Sequence, residues 1–101
     1  MVAKILITRQ FKHGHTPQIV ALLNEIRTLA LSQPGYQSGE TLIKNNAPDK
    51  MVVISTWNSL EEWYCWRDNA KRKEFEAMLQ VFQHGPTKYE EFLMGSPLHS
   101  G

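Results

Sequence analysis

The chain has 101 residues, of which 42% are apolar and 21% charged, with a formal net charge of +1. That is one domain with a modest core, far from the composition of a disordered chain. The near-neutral balance gives no electrostatic reason to expect nucleic acid or an anionic membrane as a partner.

The single cysteine, Cys65, rules out an internal disulfide framework and a multi-cysteine zinc site. No run approaches the roughly 20 apolar residues of a membrane helix, and the short apolar stretch at the start lacks the layout of a secretory signal. A cytoplasmic protein is expected.

Residues 4–11, Lys-Ile-Leu-Ile-Thr-Arg-Gln-Phe, read as a strand. After the loop at Lys12-His13-Gly14-His15, Thr16-Pro17 opens a helix, threonine serving as cap and proline as first residue. Ile19, Leu22, Leu23, Ile26, Leu29 and Ala30 form its apolar stripe, and Ser32-Gln33-Pro34-Gly35 ends it. Tyr36 to Lys44 is a second strand, bulged at Gly39, and Asn45 to Asp49 a long turn. Lys50 to Trp57 is a third strand.

Ser59-Leu60-Glu61-Glu62 has the spacing of a capping box and starts a short helix that runs to about Asp68. A further helix carries Phe75, Met78, Leu79 and Phe82 on one face and stops at His84-Gly85-Pro86. Thr87 to Met94 is the last strand, so residues 1–94 form one domain and 95–101 a flexible tail. The order predicts an α+β, ferredoxin-like split βαβ fold, with a four-stranded antiparallel sheet and helices on one face.

Ile5-Leu6-Ile7 and Met51-Val52-Val53-Ile54 are apolar on both sides of their strands. The helices cover one face only. A second copy of the same sheet is the simplest cover for the other, which predicts a homodimer through the sheet face.

Several residues are candidates for chemistry. Trp57, Trp63, Tyr64 and Trp66 crowd into ten residues. Trp57 reads as core. Trp63 and Trp66, three apart on one helix face, are either core or the wall of a pocket for a flat apolar ligand. Arg9 interrupts an apolar strand, so it must be paired with a carboxylate or sit at a cavity. Arg72 lies in the basic run Lys71-Arg72-Lys73; such runs are usually a solvated helix face, but a helix-borne arginine can also hold an anionic oxygen. The two histidines of His13-Gly14-His15 lack a third ligand, so no metal site is expected. Cys65 has no histidine near it in sequence and reads as a buried structural thiol. No glycine-rich phosphate loop is present.

Three stretches together resemble the antibiotic biosynthesis monooxygenase family, whose members form dimeric α+β barrels. They are Gln33-Pro34-Gly35-Tyr36 through Ser38-Gly39-Glu40-Thr41, then Val53-Ile54-Ser55-Thr56-Trp57 with Ser59, Trp63 and Trp66, and Pro86-Thr87-Lys88-Tyr89-Glu90. The resemblance implies a pocket between sheet and helices, and oxidation of polycyclic phenols or quinols by molecular oxygen without metal, flavin or heme, the substrate carbanion itself meeting oxygen. Trp66 lies where the family often has a pocket tryptophan. The asparagine that the polyketide-oxidising enzymes keep near it has no obvious counterpart; Glu62 stands four residues before Trp66 instead. The heme-degrading branch has an asparagine on the first strand and a histidine on the last helix, and here roughly Arg9 and Glu76 take those places, which argues against heme.

The expected function is therefore cofactor-independent monooxygenation of a small aromatic or quinol-like substrate. Trp66, Glu62 and Arg72 are the expected catalytic residues, with Glu62 or His13 as base and Arg72 or Arg9 as donor to the anion. Arg9, Tyr36, Trp63 and Trp66 are the expected substrate contacts. The alternative is a non-catalytic homodimer that binds a small molecule or another protein.

Overall fold

The structure, a computed structural model, describes residues 1–95; the tail expected at 95–101 lies outside the described residues apart from Gly95. Its elements are β1 (Ala3–Gln10), α1 (Thr16–Leu31), β2 (Tyr36–Lys44), β3 (Ala47–Trp57), α2 (Leu60–Arg67), α3 (Ala70–Gln80) and β4 (Lys88–Leu93). The strands form one antiparallel sheet in the order β2-β3-β1-β4. Each βαβ unit therefore skips one strand, which makes this the split βαβ, ferredoxin-like arrangement with its helices on one face. No helix among the described residues is long and apolar enough to cross a membrane.

Alternation along β1 sets the two faces. Ala3, Ile5, Ile7 and Arg9 are buried beneath the helices, while Lys4, Leu6 and Thr8 point the other way and are only partly covered. Register carries the pattern across the sheet. Ile5 faces Ser55, Ile7 faces Val53 and Arg9 faces Met51 on the helix side. Leu6 faces Ile54 and Thr8 faces Val52 on the open side. Leu42 of β2 extends the open apolar band, and Phe92 of β4 lies on the same face; each is about half exposed, at 49%.

Several local expectations are corrected. Asn45 and Asn46 alone make the β2–β3 turn, with Asn46 at φ 64°, a left-handed value that asparagine tolerates, so β3 starts at Ala47. Pro48 is accommodated because it lies beyond the last β1–β3 pair, Gln10–Lys50, and the bond after that pair is made by its neighbour, the Asp49 carbonyl accepting from the Phe11 N–H. The β2–β3 register shifts at two places, between Tyr36 and Ser38, ahead of Gly39, and between Ile43 and Lys44. Thr16 is the first residue of α1 and not its cap; His15 holds that position and makes no side-chain cap bond. Cys65 is exposed, because it falls on the side of α2 away from the buried Trp63 and Trp66. On α3 the buried positions are Arg72 and Leu79, with Phe75 and Glu76 half-buried, while Met78 is exposed; the inward face is turned one step from the purely apolar stripe.

The core is in two parts. Ala3, Ile5, Ile7, Ala30, Trp57, Trp63 and Trp66 form one, under α2 and the end of α1. Phe11, Ile19 and Leu79 form the other, between α1 and α3. Ile26 touches both.

Candidate functional site

Between those two parts the interior is left open as a cavity of about 260 Å³, slightly below the usual range for small-ligand sites. Ile7, Met51 and Val53 of the sheet form its floor, Leu23, Ile26 and Ala30 of α1 its roof, and Trp66 of α2 one wall. Val20, Asn24 and Arg27, exposed on α1, lie at its mouth. Tyr36, Gly39, Thr41 and Ser55 supply the β2 side and part of the floor. A side chain at position 39 would bring its Cβ within 2.7 Å of the Tyr36 hydroxyl, so glycine there lets the tyrosine lie across the strand.

The polar end is built by Arg9, Arg72 and Glu76. Arg9 is the fourth inward residue of β1, and Arg72 and Glu76 are one turn apart on α3. The Arg9 Nη2 donates to Glu76 Oε1, and Arg72 Nη2 lies 3.6 Å from the same oxygen. Thus two guanidiniums, 3% and 5% exposed as residues, share one carboxylate. Asn69 caps α3, its side chain accepting from the Arg72 backbone N–H at 3.0 Å, and thereby fixes where Arg72 begins. The Arg72 side chain donates to the Arg67 carbonyl at the end of α2 (3.1 Å) and to the Tyr89 hydroxyl (2.6 Å). It also lies 5.6 Å from the centre of the Trp63 ring. This arginine is locked in place. The Arg9 Nε, by contrast, is buried and has no hydrogen-bond partner among the described residues.

The aromatic wall is supported from behind. Trp57 is fully buried, donates from Nε1 to Ser55 Oγ at 2.8 Å, and lies nearly parallel to Trp66 with ring centres 6.4 Å apart. Tyr36 meets Trp57 edge-on at 5.2 Å. Burial pushes the Tyr36 phenol above its ordinary pKa, with Arg27 pulling the other way, so it stays protonated at neutral pH and is available as a donor.

Of the residues singled out from sequence, Arg9, Tyr36, Trp66 and Arg72 come together around the cavity. Trp63 and Glu62 do not line it. The Trp63 ring is fully enclosed in the core, and its Nε1 donates to Glu91 of β4 at 2.9 Å. Glu62 is held at the start of α2: its Oε1 accepts from the Ser59 hydroxyl at 3.0 Å, and its carboxyl group lies over Gly35. A Cβ at Gly35 would sit 2.2 Å from the Glu62 Cδ, and the φ of 83° there also calls for glycine. Only half of the expected capping box forms: Ser59 Oγ accepts from the Glu62 backbone N–H at 3.3 Å, while the Glu62 carboxylate accepts from the serine hydroxyl in place of the Ser59 backbone N–H. His13 is on the surface, 3.9 Å from Asp49, away from the cavity. Neither group proposed as base from sequence faces the pocket.

Glu76 is the carboxylate that does line it, and sequence reasoning reached it only as the counterpart of a histidine. Its signal was the i, i+4 spacing from Arg72 together with Leu79, which places both charges on the buried side of α3. Among the described residues there is no group of three or more histidine, cysteine or acidic side chains placed to hold a metal ion.

A family model described as antibiotic biosynthesis monooxygenase matches residues 3–78. The chain belongs to that family. No curated protein matches it, but solved structures of the same fold do. A conserved protein from Methanosarcina mazei Go1 superposes with a TM-score of 0.85 at 12% identity, covering 91% of each chain. SnoaB of Streptomyces nogalater, described as a cofactor-independent oxygenase, gives 0.80 at 13% identity over 99% of this chain and 100% of its own. Rv0793 of Mycobacterium tuberculosis gives 0.83 at 11% identity, covering 97% and 99%. At such identities the likeness is one of fold.

Proposed function

We propose that this chain is a cofactor-independent monooxygenase that oxidises a small fused-ring phenol or quinol with molecular oxygen. The observation that carries the reading is a mostly apolar cavity, walled by Trp66, with the Arg9–Glu76–Arg72 cluster at one end. The apolar part suits a flat ring system. The polar part suits an anion formed on that ring.

Glu76 takes the phenolic proton in this mechanism, and the new oxyanion takes the place of the carboxylate beside Arg9. One negative charge is exchanged for another, so the buried arginines are never left with less compensation than before. That equality keeps the step inexpensive in a medium of low dielectric. The electron-rich ring anion then gives electrons to oxygen and forms a carbon–oxygen bond at a ring C–H carbon ortho or para to the oxyanion, and the peroxide takes back the proton held by Glu76. Loss of water from the hydroperoxide, with the C–H bond breaking, leaves a carbonyl and hence a quinone. One oxygen atom is kept, the other departs as water with the ring hydrogen and the former phenolic proton, and the substrate supplies all the electrons. Tyr36 donates to an oxygen of the ligand, and Trp66 holds the ring in place.

Oxygen uptake by the metal-free protein with a panel of quinols and polycyclic phenols tests this. Uptake above the uncatalysed rate is expected, lowered about tenfold or more by Trp66→Phe through lost ring positioning. Uptake that never exceeds the uncatalysed rate, with ligands still binding, would leave a non-catalytic small-molecule-binding protein.

The site is also proposed to work in a homodimer joined through the open sheet face. Leu6, Val52, Ile54 and Leu42 form a continuous apolar band there with no helix over it among the described residues. Light scattering at micromolar concentration is expected to give twice the 11.6 kDa chain mass. Ile54→Glu, which puts a charge at the middle of the band, is expected to return the single-chain mass with helix content intact. A wild-type protein of single-chain mass would exclude this interface.

A further inference from the structure

We infer that the ligand of this cavity carries a permanent carboxylate in addition to its oxidisable ring, and that Arg9 is the residue that selects for it. The inference deepens the reading given above and rests on it for the location of the site. Arg9, Arg27 and Arg72 line the cavity against the single carboxylate of Glu76, a surplus of two positive charges. Arg27, on the exposed side of α1, has water to solvate it. Arg9 and Arg72 do not, and they share Glu76 between them.

The two buried arginines differ in what they have left to offer. Arg72 spends its guanidinium on Glu76, Tyr89 and the Arg67 carbonyl. Arg9 bonds Glu76 through Nη2, but its buried Nε–H has no partner among the described residues. A buried, unpartnered guanidinium N–H is costly to keep, and a charged acceptor satisfies it best.

A phenolate formed inside the cavity only replaces the acceptor that Glu76 gives up and adds none. Its proton goes to Glu76, so the charge balance is the same before and after the transfer and the surplus stays. An anionic group that enters with the ligand removes it. A carboxylate accepts well from guanidinium and leaves the ring's own hydroxyl free to react. The cavity of about 260 Å³ limits the ring system to on the order of two fused rings. The implied class is a hydroxylated bicyclic aromatic acid.

The test is calorimetric binding with a matched, air-stable pair, 1-hydroxy-2-naphthoate and 1-naphthol, on the full chain at pH 7. Neither compound needs to be oxidised, so the result does not depend on catalysis. The acid is expected to bind at least about tenfold tighter, the scale of one hydrogen bond to a charged group. In Arg9→Lys, which keeps the positive charge beside Glu76 and removes the unpartnered Nε–H, the ratio of the two affinities is expected to fall about tenfold. Equal affinity for the two compounds in the wild type, no binding of either at millimolar concentration, or an unchanged ratio in Arg9→Lys would each overturn the inference. Preferred binding of the acid without oxygen uptake by any quinol would leave the ligand class standing and remove the oxidation. Uptake confined to uncharged quinols would do the reverse.

Discussion

Glu76→Leu is expected to destabilise the protein by about 3–5 kcal/mol, the usual cost of removing one partner from a buried ion pair. Arg9 would keep its charge at a position only 3% exposed, beside Arg72, which shares the same Glu76 oxygen and has the same sign. Replacing both members, as Arg9→Met with Glu76→Leu, is expected to recover part of that loss, since the Arg9 charge is gone while Arg72, which also loses Glu76, keeps its bonds to the Arg67 carbonyl and the Tyr89 hydroxyl. Urea midpoints of the wild type, both single variants and the double variant, all at one protein concentration, measure the coupling directly. A single-variant loss below about 0.5 kcal/mol, as for a surface pair, would mean that water reaches Arg9 freely. The charge-exchange mechanism would then lose its dry site.

Trp57→Ala is expected to cost about 3–5 kcal/mol, in the range for large-to-small changes in a packed core. The ring is fully buried, and its neighbours Tyr36, Trp63 and Trp66 are too large to close around the gap. Trp57→Phe keeps most of the volume and loses the Nε1–H bond to Ser55, so a smaller loss of about 1–2 kcal/mol is expected. Near-ultraviolet circular dichroism should change in both variants, because it is Trp57 that fixes the angle of Trp66. If the alanine variant unfolds within 1 kcal/mol of the wild type, Trp66 has support that these contacts do not describe.

Much of the architecture is legible along the chain because it follows from local chemistry. The β1 alternation, the α1 stripe, the Ser59/Glu62 box and the His84-Gly85-Pro86 stop each point to one kind of backbone, and their order admits few topologies. The errors fall where several residues could serve the same local role. Either Thr16 or His15 could precede α1, and either two or five residues could turn β2 into β3.

The candidate site divides in the same way. Arg9 stood out because a charge within an apolar strand demands an explanation, and both explanations weighed for it hold at once: it is paired, and it lines a cavity. Trp63 and Trp66 are indistinguishable by helical spacing; only the packing of α2 on the sheet encloses one and leaves the other at a cavity wall. Glu62 looked suited to chemistry by its distance from Trp66, yet the tight turn at Gly35 takes its carboxyl group. Glu76 entered only as the residue standing where the heme-degrading branch has a histidine, and it is the rotation of α3 that places it opposite Arg9.

By itself, then, the sequence determined the kind and order of the elements, the two-sided apolar character of β1 and β3, and the presence of an arginine where none is comfortable. Those are properties of neighbouring residues, set by backbone propensity and periodicity. Tertiary structure alone decided which carboxylate meets that arginine, which tryptophan borders the cavity and where the core is left unfilled. Each of these depends on the angle and depth at which helices far apart in the chain settle on the sheet, and a difference of a fraction of a turn exchanges a buried charge for a solvated one.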